Sequence, residues 1–136
     1  MRQNQKARRG DWFTIGDLAR IDDEGYLYIV DLKIDMIITG GENVYPREVE
    51  EVLLAHPAVG ECAVAGAPNA YWGKAITAFV MQRNGMHTDP AQFESLRREK
   101  LARYRVPKDI RMVAGLPRYS MGKILRRQLR DELAAR

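Results

Sequence analysis

A single cysteine, Cys62, stands among 136 residues, accompanied by only two histidines. One thiol cannot build a disulfide framework or a cysteine metal site. It suits a reducing compartment, so a cytoplasmic setting is expected. His56 and His87 have no cysteine or carboxylate at ligand spacing, so both read as structural and no metal site is expected. Long apolar runs are also missing, and no stretch approaches the roughly 20 residues of a membrane-spanning helix. Residues 1–9 are basic and polar, without the apolar core of a signal peptide. There is no discernible Ser/His/Asp or Cys/His arrangement and no Gly-rich lysine pattern of a P-loop. Repeats and low-complexity tracts are absent as well.

What remains is an ordinary globular composition. Apolar residues make up 46% and charged residues 29%, enough for one domain with a real core. The net charge of +4 and the pI near 9.4 are mildly basic. Such a balance fits small anionic ligands as well as nucleic acid. Nucleic acid is the weaker reading, because no strand carries the paired aromatics of an RNA-reading motif.

The patterning predicts a fold in parts. Residues 1–10 read as disordered or tag-like. Leu18–Ile21 and Tyr26–Val30 flank Asp22-Asp23-Glu24-Gly25, a hairpin signal. Met36–Thr39 is a short apolar strand stopped by Gly40-Gly41, and Pro46 suits the first turn of a helix. Val49, Val52, Leu53 and His56 make one stripe along 46–56. Three further strands are expected at Cys62–Ala65, Ile76–Met81 and Ile110–Val113. Between the last two, Asp89, Pro90 and Gln92 spell a capped helix start, with Phe93, Leu96, Leu101 and Tyr104 on its buried face. A final helix is expected from about Lys123, with Leu125, Leu129 and Leu133 inward and Arg126, Arg127 and Arg130 outward. Helices packed on a small three-stranded sheet give an α+β domain over 33–136. The β segment 11–32 reads as the edge and hinge of something larger.

Two motifs point to chemistry. Pro117-Arg118-Tyr119-Ser120-Met121-Gly122-Lys123 is a short loop framed by proline and glycine, with a lysine directly after the glycine. Taken alone, such a lysine is a solvated cation. Held out by a loop into a drier cleft, it can neutralise charge developing on a carboxylate and a phosphate together. Gly40-Gly41-Glu42-Asn43 reads as a strand-to-helix turn whose glycines also let backbone pass close to a ligand. Gly16-Asp17 is a turn signal whose carboxylate is able to accept both hydroxyl hydrogens of a ribose. Tyr71-Trp72 reads as core or rim packing.

From about Gly10 to Leu133 these motifs run in the order found in the C-terminal part of the adenylate-forming enzymes, and the chain resembles that superfamily. The superfamily includes acyl-CoA synthetases, luciferases and nonribosomal adenylation domains. The run from Met36 to Pro46 is most similar to fatty-acyl and aromatic-acid CoA ligases. The resemblance implies a small lobe that closes over a large N-terminal domain, present in cis or in trans, which binds ATP and a carboxylic acid. It implies acyl-adenylate formation, a swing of the small lobe, and thioester formation with coenzyme A, with magnesium in the full enzyme. By the same resemblance Lys123 is the adenylation lysine and Asp17 holds the AMP ribose. Gly40, Gly41 and Glu42 line the coenzyme A path, and Lys33 and Ile34 lie at the hinge. Three positions depart from the family pattern, which usually has threonine, arginine and aspartate or lysine where this chain has Ile15, Leu32 and Ile34. The superfamily's Ser/Thr/Gly-rich phosphate loop and the acid pocket are not among these residues. Two further expectations follow. The isolated chain should be inactive, and the β segment 12–30 should pair with a large domain or with a second copy. The competing reading is an interaction module that kept the fold and lost the chemistry.

Overall fold

The computed structural model describes residues 7–93 and 100–135. Its centre is a three-stranded mixed sheet. Strand β7 (Val59–Asn69) runs antiparallel to β8 (Gly73–Gln82), and β9 (Asp109–Met112) lies parallel to β8 on the other side. The register runs from Val59↔Gln82 to Asn69↔Gly73, with a shift at Val59/Glu61. The three strands predicted from the apolar runs are therefore present, with β7 and β8 longer than their apolar cores.

Both faces of the sheet are covered, which explains the near-continuous apolar runs. On one face Cys62, Val64, Ile76, Ala78 and Val80 meet helix α1 (Pro46–Leu54) through Val49 and Leu53. The β8–β9 crossover adds Phe93 and Leu101 to the same cluster. Parallel neighbours need such a long connection, and it has to lie over one face. On the other face Ala63, Ala65 and Phe79 receive Leu129 and Leu133 of helix α2 (Arg126–Ala134). The small alanines leave room for the helix to approach. Helices α1 and α2 have nine residues each, well under the roughly 12–15 at which an isolated helix becomes even marginally stable in water. Packing against the sheet, rather than helix propensity, holds both in place.

Three smaller ladders precede or flank the sheet. Strands β1 (Arg8–Arg9) and β2 (Trp12–Phe13) pair, so a short strand lies at the end of the segment expected to be disordered or tag-like; residues 1–6 lie outside the described part. The predicted hairpin is β3 (Asp17–Ile21) with β4 (Leu27–Leu32). Its turn is fixed by Asp22, whose Oδ1 accepts the N–H groups of Tyr26 at 2.9 Å and Glu24 at 3.1 Å. These bonds, the one from Tyr26 foremost, hold its carboxyl below the usual carboxylate range. Strands β5 (Ile37–Thr39) and β6 (Glu42–Val44) form the third ladder.

The helix predicted in the crossover falls mostly on residues 94–99, outside the described part; Phe93 and Lys100 at its two ends are helical. The capping box is present, with Asp89 accepting from the Ala91 N–H and Gln92 accepting from the Asp89 N–H, and its first turn, Pro90–Gln92, is 3-10. Phe93 is fully buried and sits edge-on to His56, ring centroids 4.9 Å apart. Leu101 is buried, whereas Tyr104 is exposed on a second 3-10 turn (Arg103–Arg105), not on a continuous helical face. Leu96 lies outside the described residues.

Cys62 is buried beneath α1, its Sγ 3.6 Å from the Glu50 carbonyl oxygen. Burial, aided by the negative charge of Glu50, pushes the thiol from its ordinary value of 9.0 up to about 12. The folded chain thus holds this proton more tightly than the unfolded chain does. The contribution is fully present below the unfolded value of 9.0 and is lost as pH rises through the folded value of about 12. Two outcomes are expected. A thiol reagent at mildly alkaline pH should leave Cys62 unmodified in the folded chain and modify it rapidly in concentrated guanidinium. In urea titrations, Cys62→Ala should flatten the alkaline loss of stability.

Candidate functional site

The lysine motif forms a small hairpin, not a helix start. Arg118 and Ile124 pair across it as an antiparallel bridge. The Tyr119 N–H donates to the Lys123 carbonyl at 2.8 Å, and the Leu125 N–H donates to the Pro117 carbonyl at 2.7 Å. Gly122, at φ +84°, takes the left-handed position that the tight turn requires. Arg118 braces the loop from outside. Its Nη1 donates to the Gly122 carbonyl at 2.6 Å, and its Nη2 pairs with Glu61 on β7. These bonds keep 123–125 out of the helix, so α2 begins at Arg126, three residues later than predicted. Lys123 itself is exposed at the end of the braced loop.

Lys123 lines a cleft of about 570 Å³ together with Leu32, Ile34, Asp35, Arg118 and the α2 arginines. Five cations line it, and four of them are ion-paired: Arg118 with Glu61, Arg126 with Glu50, Arg127 with Asp131 and Arg130 with Asp35. Against those four carboxylates the five cations leave a surplus of one positive charge, at the exposed Lys123, and it suits a ligand carrying carboxylate or phosphate. The predicted hinge residues lie at the same place. Lys33 and Ile34 are exposed on a turn closed by the Asp35 N–H donating to the Leu32 carbonyl at 3.0 Å. Asp17 stands directly across the β3–β4 ladder from Leu32, and the Lys33 N–H donates to the Gly16 carbonyl at 2.8 Å. Fold topology thus brings Asp17, the turn at Lys33 and Ile34 and the lysine cleft to neighbouring positions.

Gly40, Gly41 and Glu42 lie elsewhere and in a different form. Gly40 and Gly41 are the two-residue turn between β5 and β6, flanked by the pair Thr39↔Glu42. Both have positive φ, +56° and +85°, as the favoured two-residue hairpin turn demands. Strand β6 therefore separates the glycines from helix α1, which corrects the expected direct strand-to-helix turn. The Gly40 N–H donates to the Trp72 carbonyl at 2.9 Å, so the turn docks on the β7–β8 tip. There Asn69 Oδ1 accepts from the Tyr71 and Trp72 N–H groups, and Lys108 Nζ lies 5.2 Å from the centre of the Trp72 ring.

The largest departure concerns the arginines of α2. Arg126 and Arg130 were expected outward, but both turn inward to buried carboxylates. Arg126 Nη2 makes 2.7 Å bonds to both oxygens of Glu50. Its Nη1 lies 3.8 Å from Asp35 Oδ2, and Arg130 Nη1 pairs with Asp35 Oδ1. Glu50 is 7% exposed and Asp35 is 8% exposed. Carboxylates buried to that degree need partners. The signal that could have found them was the i, i+4 spacing of Arg126 and Arg130 beside Leu129 and Leu133, together with the acidic Asp35 set between Ile34 and Met36.

Comparison with known proteins places the chain. The model of the AMP-binding enzyme C-terminal domain matches residues 48–123, ending on the candidate lysine. The chain is 48% identical over 125 residues to a 2-succinylbenzoate–CoA ligase of Geobacillus kaustophilus, covering 92% of this chain and 26% of that enzyme. It is 45% identical over 124 residues to a long-chain-fatty-acid–CoA ligase of Bacillus subtilis, covering 91% and 22%. An o-succinylbenzoate CoA synthetase from Bacillus subtilis, solved in complex with its acyl-adenylate intermediate, matches with a TM-score of 0.84. Identity there is 40%, over 92% of this chain and 25% of that one. The chain belongs to the AMP-binding enzyme C-terminal domain family of the adenylate-forming enzymes. It spans about a quarter of the length of these relatives.

The two turn glycines make separable predictions. A Cβ at Gly40 would stand 3.0 Å from Trp72 Cε3 and 3.3 Å from Cζ3, whereas one at Gly41 meets nothing within 4 Å. Gly41→Ala should lose only the left-handed strain, about 1–2 kcal/mol. Gly40→Ala should lose more, because the Trp72 ring must also shift. Urea titration of both variants checks the order.

Proposed function

We propose that this chain is the C-terminal lobe of an acyl-CoA ligase, which activates a carboxylic acid with ATP and transfers the acyl group to coenzyme A. The observation that carries the reading is the exposed Lys123 on a doubly braced loop, in a cleft shared with the hinge turn. A cation held in this way, once covered by another domain, sits where charge develops on the reacting carboxylate and the α-phosphate. Asp17 contributes a carboxylate for the ribose hydroxyls. The positive charge left over at Lys123 fits the nucleotide and the acid. Magnesium accompanies the nucleotide, and no residue of this chain is assigned to it.

The complete site needs a large N-terminal domain, in cis or in trans. Residues 11–32 form the edge of that domain, Lys33 and Ile34 the hinge, and 33–136 the mobile lobe. The exposed apolar groups of the β segment support this division. Trp12, Ile15, Tyr26, Leu27, Tyr28 and Ile29 are each at least half or nearly half open to solvent, a surface that marks an interface. In the second orientation the β5–β6 turn at Gly40, Gly41 and Glu42 faces the pantetheine arm. The alternative, an interaction module without chemistry, draws on the apolar Leu32 and Ile34 at the cleft edge.

The test separates the two half-reactions in a complex of this chain with its large domain. Lys123→Ala should slow adenylation roughly a hundred- to a thousandfold and slow thioester formation from preformed acyl-adenylate far less. Gly41→Tyr should do the reverse, by filling the pantetheine path. Leu32→Arg should raise adenylation by restoring a nucleotide contact. Pure 136-residue chain should show no acid-dependent pyrophosphate exchange. Unchanged half-reactions in all three variants would establish the module reading instead.

A further inference from the structure

Asp35 closes the hinge turn, yet it is buried while Lys33 and Ile34 are open to solvent. Helix α2 holds its carboxylate, through Arg130 on Oδ1 and Arg126 near Oδ2. Arg126 is the first residue of α2 and follows directly on the loop that carries Lys123. The same guanidinium grips Glu50 through both carboxylate oxygens, and Glu50 Oε1 also accepts the Val64 N–H of β7 at 2.9 Å. The chain just after the hinge and the chain just after the lysine loop are thus clamped together, 95 residues apart in sequence. Helix α2 already has Leu129 and Leu133 to hold it to the sheet. The ion pairs add what apolar contact cannot, a fixed register between the helix start and the pivot, because charge-assisted bonds are directional.

We propose that Asp35 is a positioning residue for Lys123. Acting through Arg126 and Arg130, it locks the start of α2 to the far side of the hinge. Rotation is then confined to residues before Asp35, and the lysine loop moves as a rigid arm of the lobe. This inference rests on the function proposed above, since a fixed arm matters only if Lys123 has to reach a site on another domain.

The test uses Asp35→Asn, Asp35→Glu and Arg130→Met in the complex of this chain with its large domain, each also combined with Lys123→Ala. Asp35→Asn should lower the kcat of adenylation roughly tenfold to a hundredfold, the size expected from losing a charge-assisted bond. KM for the acid should hold steady and thioester formation should fall much less. Asp35→Glu should recover part of the loss. In the Lys123→Ala background, Asp35→Asn should add nothing, because the arm then carries no charge to place. Hydrogen exchange on the chain itself gives a second readout. The Gly122 and Leu125 amides should exchange faster in Asp35→Asn and Arg130→Met, with the β8 amides unchanged. Equal losses in both half-reactions, or a full additional loss on top of Lys123→Ala, would overturn the proposal, as would unchanged exchange in the loop. If Lys123→Ala alone leaves adenylation intact, the proposed function itself fails and takes this inference with it. If Lys123→Ala is deleterious and Asp35→Asn is not, only the positioning role is lost.

Discussion

The carboxylate of Glu50 is the constraint on which the arrangement turns. It lies almost entirely out of water, where an unpaired charge would be very costly. Three elements meet on it. It belongs to α1, it takes the Val64 amide from the outer edge of β7, and it receives the Arg126 guanidinium from the start of α2. The edge of the sheet is thereby capped, and both helices are referred to one point. Losing one partner of such a buried pair typically costs about 3–5 kcal/mol, because the other charge is left stranded. That penalty fixes geometry more firmly than it adds net stability.

The network also resolves a local conflict in α2. Its first turn carries Arg126 and Arg127 and no acidic residue, which the helix dipole disfavours. Glu50 and Asp35 supply from other elements the negative charge that the helix's own sequence lacks. The lysine hairpin just upstream is braced by Arg118 on Glu61 and on its own turn carbonyl. Anchored on both flanks, the loop keeps Lys123 exposed without leaving it loosely held. An exposed cation on a stiff mount is what a reaction completed by a second domain calls for.

Sequence patterning read the apolar architecture well, and the reasons are local. The runs at Cys62–Ala65 and Ile76–Met81 are short, β-branched or small, and bounded by turn residues, so they could be little else than strands. Asp22 through Gly25 encodes its own turn, since the Asp22 carboxylate bonds amides two and four residues on. Asp89 and Gln92 likewise form their box with each other. Readings that reached across the chain fared worse. Arg126 and Arg130 look like a solvated helical face until Glu50 and Asp35, 76 and 95 residues away, are brought beneath them. Tyr104 fits a helical stripe, but the backbone tightens to a 3-10 turn and turns it out to solvent.

The same division holds for the candidate site. The order and spacing of the glycine turn, the acidic residue after Gly16 and the terminal lysine loop were enough to identify the family, because each motif is a contiguous run whose residue types answer to local backbone demands. Sequence alone marked Gly40-Gly41 as a turn, and the structure gave the turn its form, a two-residue hairpin with both φ values positive. Tertiary structure decided what those motifs stand next to. It set the glycine turn against Trp72, placed Asp17 across from Leu32, and brought the turn at Lys33 and Ile34 to the lysine cleft. It turned two surface-type arginines into a buried clamp. Those outcomes depend on burial and on partners distant in the chain. A side chain's charge is written in its own codon, but the carboxylate that pairs with it is chosen only when the sheet and helices close.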